Sequence, residues 1–176
     1  MKDLKKITTT AMLTAVAVIL GYFAFPIFPA VSFLEYDLCD VVIMITSFIF
    51  GPILGICSSL IVALYQAFLL DKSGIFGFIM NIVSTVSFIL PASITYLKNK
   101  TRKGAIISLA VGFISLNVVM FAFNCIVTPY FMHTTLSIVM KLMPFIMGFN
   151  SIKGILNAVI TYFLYKHISK LIKKFN

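Results

Sequence analysis

Six apolar runs, at residues 7–25, 41–50, 53–70, 75–97, 104–127 and 144–165, alternate with short polar connectors. A helix needs about 20 mostly apolar residues to cross the hydrocarbon layer of a bilayer. Five or six such runs in one chain leave no material for a soluble core, so the pattern predicts an all-α integral membrane protein with six transmembrane helices. The run at 41–50 is short for a straight span and is expected to tilt or to begin inside the preceding loop. Gly51-Pro52 separates it from the next run, as a Gly-Pro pair breaks regular structure. Thr128-Pro129-Tyr130 closes the fifth span, and Pro144 opens the sixth as a first-turn proline. The first run begins with charge, as a secretory signal does, but it exceeds the roughly 7–15 residues of a signal core and reads as a span. Without an internal repeat or a Pro/Gly/Ser linker, residues 1–176 read as a single membrane domain.

Composition supports this class: 61% of the residues are hydrophobic and 11% charged, against about 45–50% and 25% in soluble domains. The net charge of +9 would suggest nucleic acid in a soluble chain, but its distribution argues otherwise. Lys2, Lys5 and Lys6 precede the first span; Lys98, Lys100, Arg102 and Lys103 lie between the fourth and fifth; Lys166, Lys170, Lys173 and Lys174 follow the last. Basic residues mark cytoplasmic ends and meet anionic lipid headgroups there. Of the five acids, Glu35, Asp37, Asp40 and Asp71 fall in connectors on the opposite side. Both termini are therefore expected in the cytoplasm of a bacterial plasma membrane, with no nucleic-acid partner.

Candidate chemistry centres on Lys153, about ten residues inside the last run and one helical turn from Asn150 and Asn157. A lysine at that depth costs roughly 2.5–3.5 kcal/mol unless it has a partner or a task, and no acid lies within a predicted span to neutralise it. Asn81 and Asn124, on the fourth and fifth spans, complete a polar set. Single asparagines in lipid commonly act as interhelical glue, but an amide cannot neutralise an ammonium. Amides with one cationic donor suit a flat, neutral, hydrogen-bonding ligand, whose faces the 18 Phe, 7 Tyr and 9 Met can cover. Residues 33–40 interleave Phe33, Leu34, Tyr36 and Leu38 with three acids, which fits either a lid over a membrane pocket or anchoring at headgroup depth. Ala11 and Ala15 form a small-residue face for close helix approach, inside the chain or to a partner. Cys39, Cys57, Cys125, His133 and His167 lack metal-ligand spacing. Phosphate-binding, zinc-hydrolase and nucleophile-elbow motifs are missing, so no catalytic residue, metal or cofactor is expected.

Four stretches resemble one family: Phe33-Leu34-Glu35-Tyr36-Asp37-Leu38-Cys39-Asp40-Val41, Phe50-Gly51-Pro52-Ile53-Leu54-Gly55, Phe88-Ile89-Leu90-Pro91-Ala92 and Phe149-Asn150-Ser151-Ile152-Lys153-Gly154. With Asn81, Phe123-Asn124, Pro129 and Tyr130, they resemble the S component of an energy-coupling factor (ECF) vitamin transporter, closest to the riboflavin-specific type. The resemblance implies a six-helix bundle whose first external loop closes over the ligand, with Asn124, Asn150 and Lys153 on the flavin ring and Leu34, Glu35, Tyr36 and Asp37 completing the site. Asn81 is placed in the same set. It implies that Ala11 and Ala15 dock on a transmembrane coupling subunit, and that two cytoplasmic ATPases use the ATP. Two departures from the riboflavin type are Val42, where proline usually stands, and the apolar and small run Cys57–Leu64 in the third span. The rival readings are an S component for another vitamin, an autonomous secondary transporter and a purely structural membrane partner.

Overall fold

The apolar runs become six α-helices in the computed structural model, which describes residues 2–70 and 74–175. They are α1 (Lys2–Leu20), α2 (Cys39–Phe50), α3 (Pro52–Tyr65), α4 (Gly74–Lys98), α5 (Arg102–Phe131) and α6 (Leu136–Phe175). Five helical segments are long and apolar enough to cross a membrane. The exception, α2, has 12 residues and so rises only about 18 Å at 1.5 Å per residue, well short of a ~30 Å hydrocarbon layer. The remaining distance on one side of the bundle is filled by loop 1, which connects α1 to α2.

Loop 1 has structure of its own. Strand β1 (Phe25–Pro26) pairs antiparallel with β2 (Glu35–Tyr36), Phe25 opposite Tyr36 and Pro26 opposite Glu35. Between them, a 3-10 turn at Pro29–Val31 sends Val31 into a small core with Val139, Met143 and Ile146 of α6. The loop is thereby pinned to α6 by apolar burial.

Boundaries differ from the sequence expectations where proline and charge misled the reading. Helix α1 stops at Leu20 and gives way to a 3-10 turn at Gly21–Phe23. Helix α5 runs through Pro129 to Phe131. Helix α6 begins at Leu136, so Pro144 lies inside it and does not open it. In lipid a helical proline is tolerated because neighbouring helices and local adjustments satisfy the freed backbone groups. Lys141 had interrupted the apolar run that would have revealed the earlier start. The expected turn at Asp71, Lys72 and Ser73, and the side chains of Lys166, Lys170, Lys173 and Lys174, lie outside the described residues.

Helix α2 is the hub, touching α1, α3, α4 and α6, while α4 and α5 form a long hairpin. Phe48 of α2 stacks on Tyr96 of α4 with ring centroids 4.5 Å apart, and Ile43, Met44, Val62, Ile89 and Leu116 close the core around them. Between lipid-soluble helices there is little hydrophobic drive, so close contact depends on small residues and hydrogen bonds. Ser47 of α2 bonds Ser93 of α4, and Thr14 of α1 donates to Ser58 of α3 at 2.8 Å. At Gly55 an added Cβ would stand 2.5 Å from the Ser47 Cβ, which is how α3 folds back on α2 after one residue. That residue, Gly51, has φ +96°, a conformation essentially reserved for glycine.

Replacing Gly55 by valine should force α2 and α3 apart and destabilise the protein by about 1–3 kcal/mol. Thermal unfolding in detergent will show this as a lowered midpoint. Gly51→Ala should cost a similar amount through backbone strain alone.

Candidate ligand-binding site

A cavity of about 150 Å³ lies under loop 1, between α4, α5 and α6. Most of its wall is apolar: Phe33 of the loop, Phe76 and Met80 of α4, Met120 and Phe131 of α5, and Phe149 of α6. Phe131 holds this wall together, 5.5 Å from the Phe33 ring and 6.0 Å from that of Phe76. Four polar residues singled out in the sequence, Asn81, Asn124, Asn150 and Lys153, all face this space, although they come from three helices. Leu34, Glu35 and Asp37 of loop 1 line it as well. Tyr36 does not, because alternation along β2 turns it away into the protein, where it is buried.

Lys153 has the partner that the sequence reading denied it. Its Nζ lies 2.9 Å from Asp40 Oδ2, and both side chains are buried. Asp40 was expected in an external connector. It occupies the first turn of α2 instead, and because α2 is short that turn lies level with Lys153, well inside α6. Asp40 is further satisfied by Thr85 Oγ1, which donates to Oδ1 at 2.7 Å, and by Asn157 Nδ2, 3.4 Å from Oδ2. Behind the strand, Tyr36 Oη donates to Asn157 Oδ1 at 3.2 Å. Burial, with the Asp40 charge next, pushes the Tyr36 phenol up to about 12, so it stays a neutral donor at ordinary pH.

A second arm of the network runs through Gln66, which sequence reasoning missed. Gln66 opens a π-helical turn at Gln66–Leu70 that continues α3. Its Nε2 donates to Asp37 Oδ2 at 2.8 Å, and its Oε1 accepts from Asn81 Nδ2. Asp37 Oδ1 in turn accepts from the Cys39 amide at 2.8 Å, capping the start of α2. Asn81 Oδ1 lies 3.3 Å from Thr85 Oγ1, which joins the two arms. The signal available in the sequence was the single amide side chain inside the third apolar run.

The asparagines differ in what they leave open. Asn124 is satisfied within α5: its Nδ2 donates to the Met120 carbonyl at 2.7 Å, and its Oδ1 accepts from Thr128 at 2.9 Å. Asn150 is 2% exposed, and its Nδ2 finds no hydrogen-bond partner among the described residues. Buried donors are nearly always paired, so this amide is the group in the cavity most in need of a ligand. Asn117 joins α5 to α6 by accepting from Ser151 Oγ at 2.9 Å. Ala11 and Ala15 are exposed on α1, whereas nearby Ala17 is buried in the core. Among the described residues no cluster of His, Cys, Asp or Glu is arranged to hold a metal ion.

Residues 5–165 match the profile of a family described as ECF transporter, substrate-specific component. The chain is 28% identical over 181 residues to the riboflavin transporter RibU of Staphylococcus aureus, across 99% of this chain and 95% of that protein. It is also 28% identical over 167 residues to the riboflavin transporter FmnP of Bacillus subtilis, across 89% of this chain and 87% of the relative. A solved structure described as the S component of a bacterial ECF transporter superposes with a TM-score of 0.84 at 29% identity, over 97% of this chain and 99% of that one.

Removing one member of a buried ion pair strands the other, at a cost of about 3–5 kcal/mol. Asp40→Ala should therefore lower stability by that amount in a detergent unfolding assay. The double replacement Asp40→Leu with Lys153→Met should recover most of the loss, since a well-packed apolar pair has no charge to desolvate.

Proposed function

The chain belongs to the ECF transporter substrate-specific components, and from that premise we propose that it is the riboflavin-binding subunit of an ECF importer, with the cavity beneath loop 1 as its vitamin site. Two full-length relatives are named as riboflavin transporters. The observation that carries the reading is Asn150, a buried amide donor facing the cavity without a partner among the described residues. A flavin ring edge presents carbonyl oxygens and a ring N–H, and an amide can match them with both of its functions. Phe33, Phe76, Phe131 and Phe149 with Met80 and Met120 give the ring faces apolar and aromatic cover.

Lys153 holds Asp40 with one of its donors, and an ammonium has three. It contributes a fixed cationic donor whose position is set by the ion pair, while Asn81 is oriented by Gln66 and Thr85. Glu35 and Asp37 close the loop side. Tyr36 acts from behind as a support for Asn157 and so for Asp40. Asn124, already satisfied within its own helix, offers its remaining lone pair and second N–H to the ring.

This subunit binds and does not pump. In the proposed cycle the ligand enters from outside, loop 1 closes, and the loaded subunit passes it inward while docked on a transmembrane coupling subunit driven by two cytoplasmic ATPases. The exposed Ala11–Ala15 face of α1 is the docking surface, because small residues let a partner helix approach closely in lipid. The basic ends at Lys98, Lys100, Arg102 and Lys103 face the cytoplasm of the bacterial cell membrane.

The direct test is riboflavin fluorescence titrated with the detergent-purified chain. Saturable quenching at one site per chain is expected; its absence, with quenching or displacement by another vitamin, would reassign the ligand. Asn150→Leu should weaken riboflavin binding by about 1.5–3 kcal/mol, roughly 10- to 150-fold, while leaving the ligand-free protein as stable or more so, because an unsatisfied buried amide is removed. Ala15→Trp should leave binding intact and abolish uptake by the assembled transporter, as measured in reconstituted vesicles.

A further inference from the structure

Gln66 stands where the geometry of its helix changes. Helix α3 is regular as far as Tyr65 and continues as the π-helical turn Gln66–Leu70, a form that recurs at functional sites. Across this turn Gln66 and Ala67 are buried while Phe68 and Leu69 are exposed, so the amide is faced inward. The end of α1 braces the turn: Tyr22 shares a hydrogen bond with Tyr65, and their ring centroids are 6.0 Å apart. The side chain of Gln66 is thus presented from a held position.

Its hydrogen bonds have a fixed direction. A carboxylate only accepts, whereas a primary amide has one donating and one accepting end. Asp37 Oδ2 therefore selects the nitrogen of Gln66, which donates to it at 2.8 Å, and leaves Oε1 to accept from Asn81 Nδ2. The same nitrogen lies 3.5 Å from Cys39 Sγ. One buried side chain so ties loop 1, through Asp37, to the cavity wall, through Asn81 of α4. Other attachments of the loop lead elsewhere: Val31 packs on α6, Phe33 meets Phe131 of α5, and Tyr36 bonds Asn157 of α6. Among the described residues, Gln66 supplies the side-chain hydrogen bond between loop 1 and the α3–α4 side. Its acceptor is a buried carboxylate, and bonds of that class are the stronger ones.

We propose that Gln66 is a positioning residue for vitamin binding: by holding Asp37 and Asn81 together it keeps loop 1 seated over the cavity. Both ends of its amide are engaged within the protein, so it acts through the loop and through Asn81. The consequence for binding rests on the flavin reading above, whereas the consequence for the loop does not.

Hydrogen–deuterium exchange of the ligand-free, detergent-purified full-length chain tests the loop directly. Gln66→Met keeps the length of the side chain and removes both amide functions. Amides of residues 25–36 should then exchange at least about tenfold faster, as for loss of a hydrogen bond to a charged group, with exchange in α5 unchanged. Gln66→Glu sets two carboxylates face to face and should free the loop at least as far. Adding Asp37→Asn to it restores the bond with donor and acceptor exchanged, and should slow exchange again toward wild type. Should Gln66→Met fail to fold, the comparison of Gln66→Glu with the paired variant decides. Loop exchange unaltered by Gln66→Met, or raised equally in α5, would overturn the proposal, as would a paired variant that exchanges no more slowly than Gln66→Glu alone. Stopped-flow riboflavin fluorescence reads the effect on binding: Gln66→Met should speed release about tenfold and alter association less than threefold. A loosened loop with unchanged release would overturn the role in binding. Wild-type protein that binds no riboflavin would instead overturn the flavin reading and leave the hold on loop 1 standing.

Discussion

The rest of the site depends on the ion pair between Lys153 and Asp40. An isolated ammonium within an apolar helix is unfavourable by several kcal/mol, and an isolated carboxylate at the same depth is no better. Each is acceptable because the other is 2.9 Å away. That distance is available only because α2 is 12 residues long and starts deep in the bundle. The short helix, the loop that fills the space above it and the charge inside α6 are thus consequences of a single arrangement. Thr85 and Asn157 complete the coordination of Asp40, so the pair joins α2, α4 and α6 at one point.

From that point the polar groups divide by task. Asp40, Thr85, Asn157, Gln66 and Tyr36 satisfy one another and hold the helices and loop 1 in place. Asn150 is left with a donor that no described residue uses. A network of mutually bonded groups beside an amide whose donor stays open toward the cavity separates support from recognition more clearly than residue type could. The apolar wall then supplies contact area, and Leu34, Glu35 and Asp37 line the loop side.

Much of this was legible in the sequence. The six apolar runs mark the six helices, and Asn81, Asn124, Asn150 and Lys153, chosen because polar groups are costly in lipid, come together around one cavity. What was not legible came from three-dimensional placement. Asp40 reads as a loop acid because it follows two other acids in a polar stretch, and only the truncated α2 brings it to depth. Gln66 is one amide near the end of an apolar run, and the π-helical turn that aims it has no pattern in the residues. The prolines at 129 and 144 signal breaks by the rules for soluble helices, but both lie within continuous helices here. Tyr36 shared a motif with true cavity residues, and strand alternation turned it away from them.

Loop 1 is fastened on both sides of the cavity: to α6 through Val31 and its apolar neighbours, and to the α3–α4 side through Asp37 and Gln66. A strap secured at two places does not swing aside as a free flap does; lifting the whole loop breaks both sets of contacts. Escape of a captured molecule back to the outside then requires a concerted, infrequent opening. Dwell time, more than the strength of any one contact, is then the property this fastening governs.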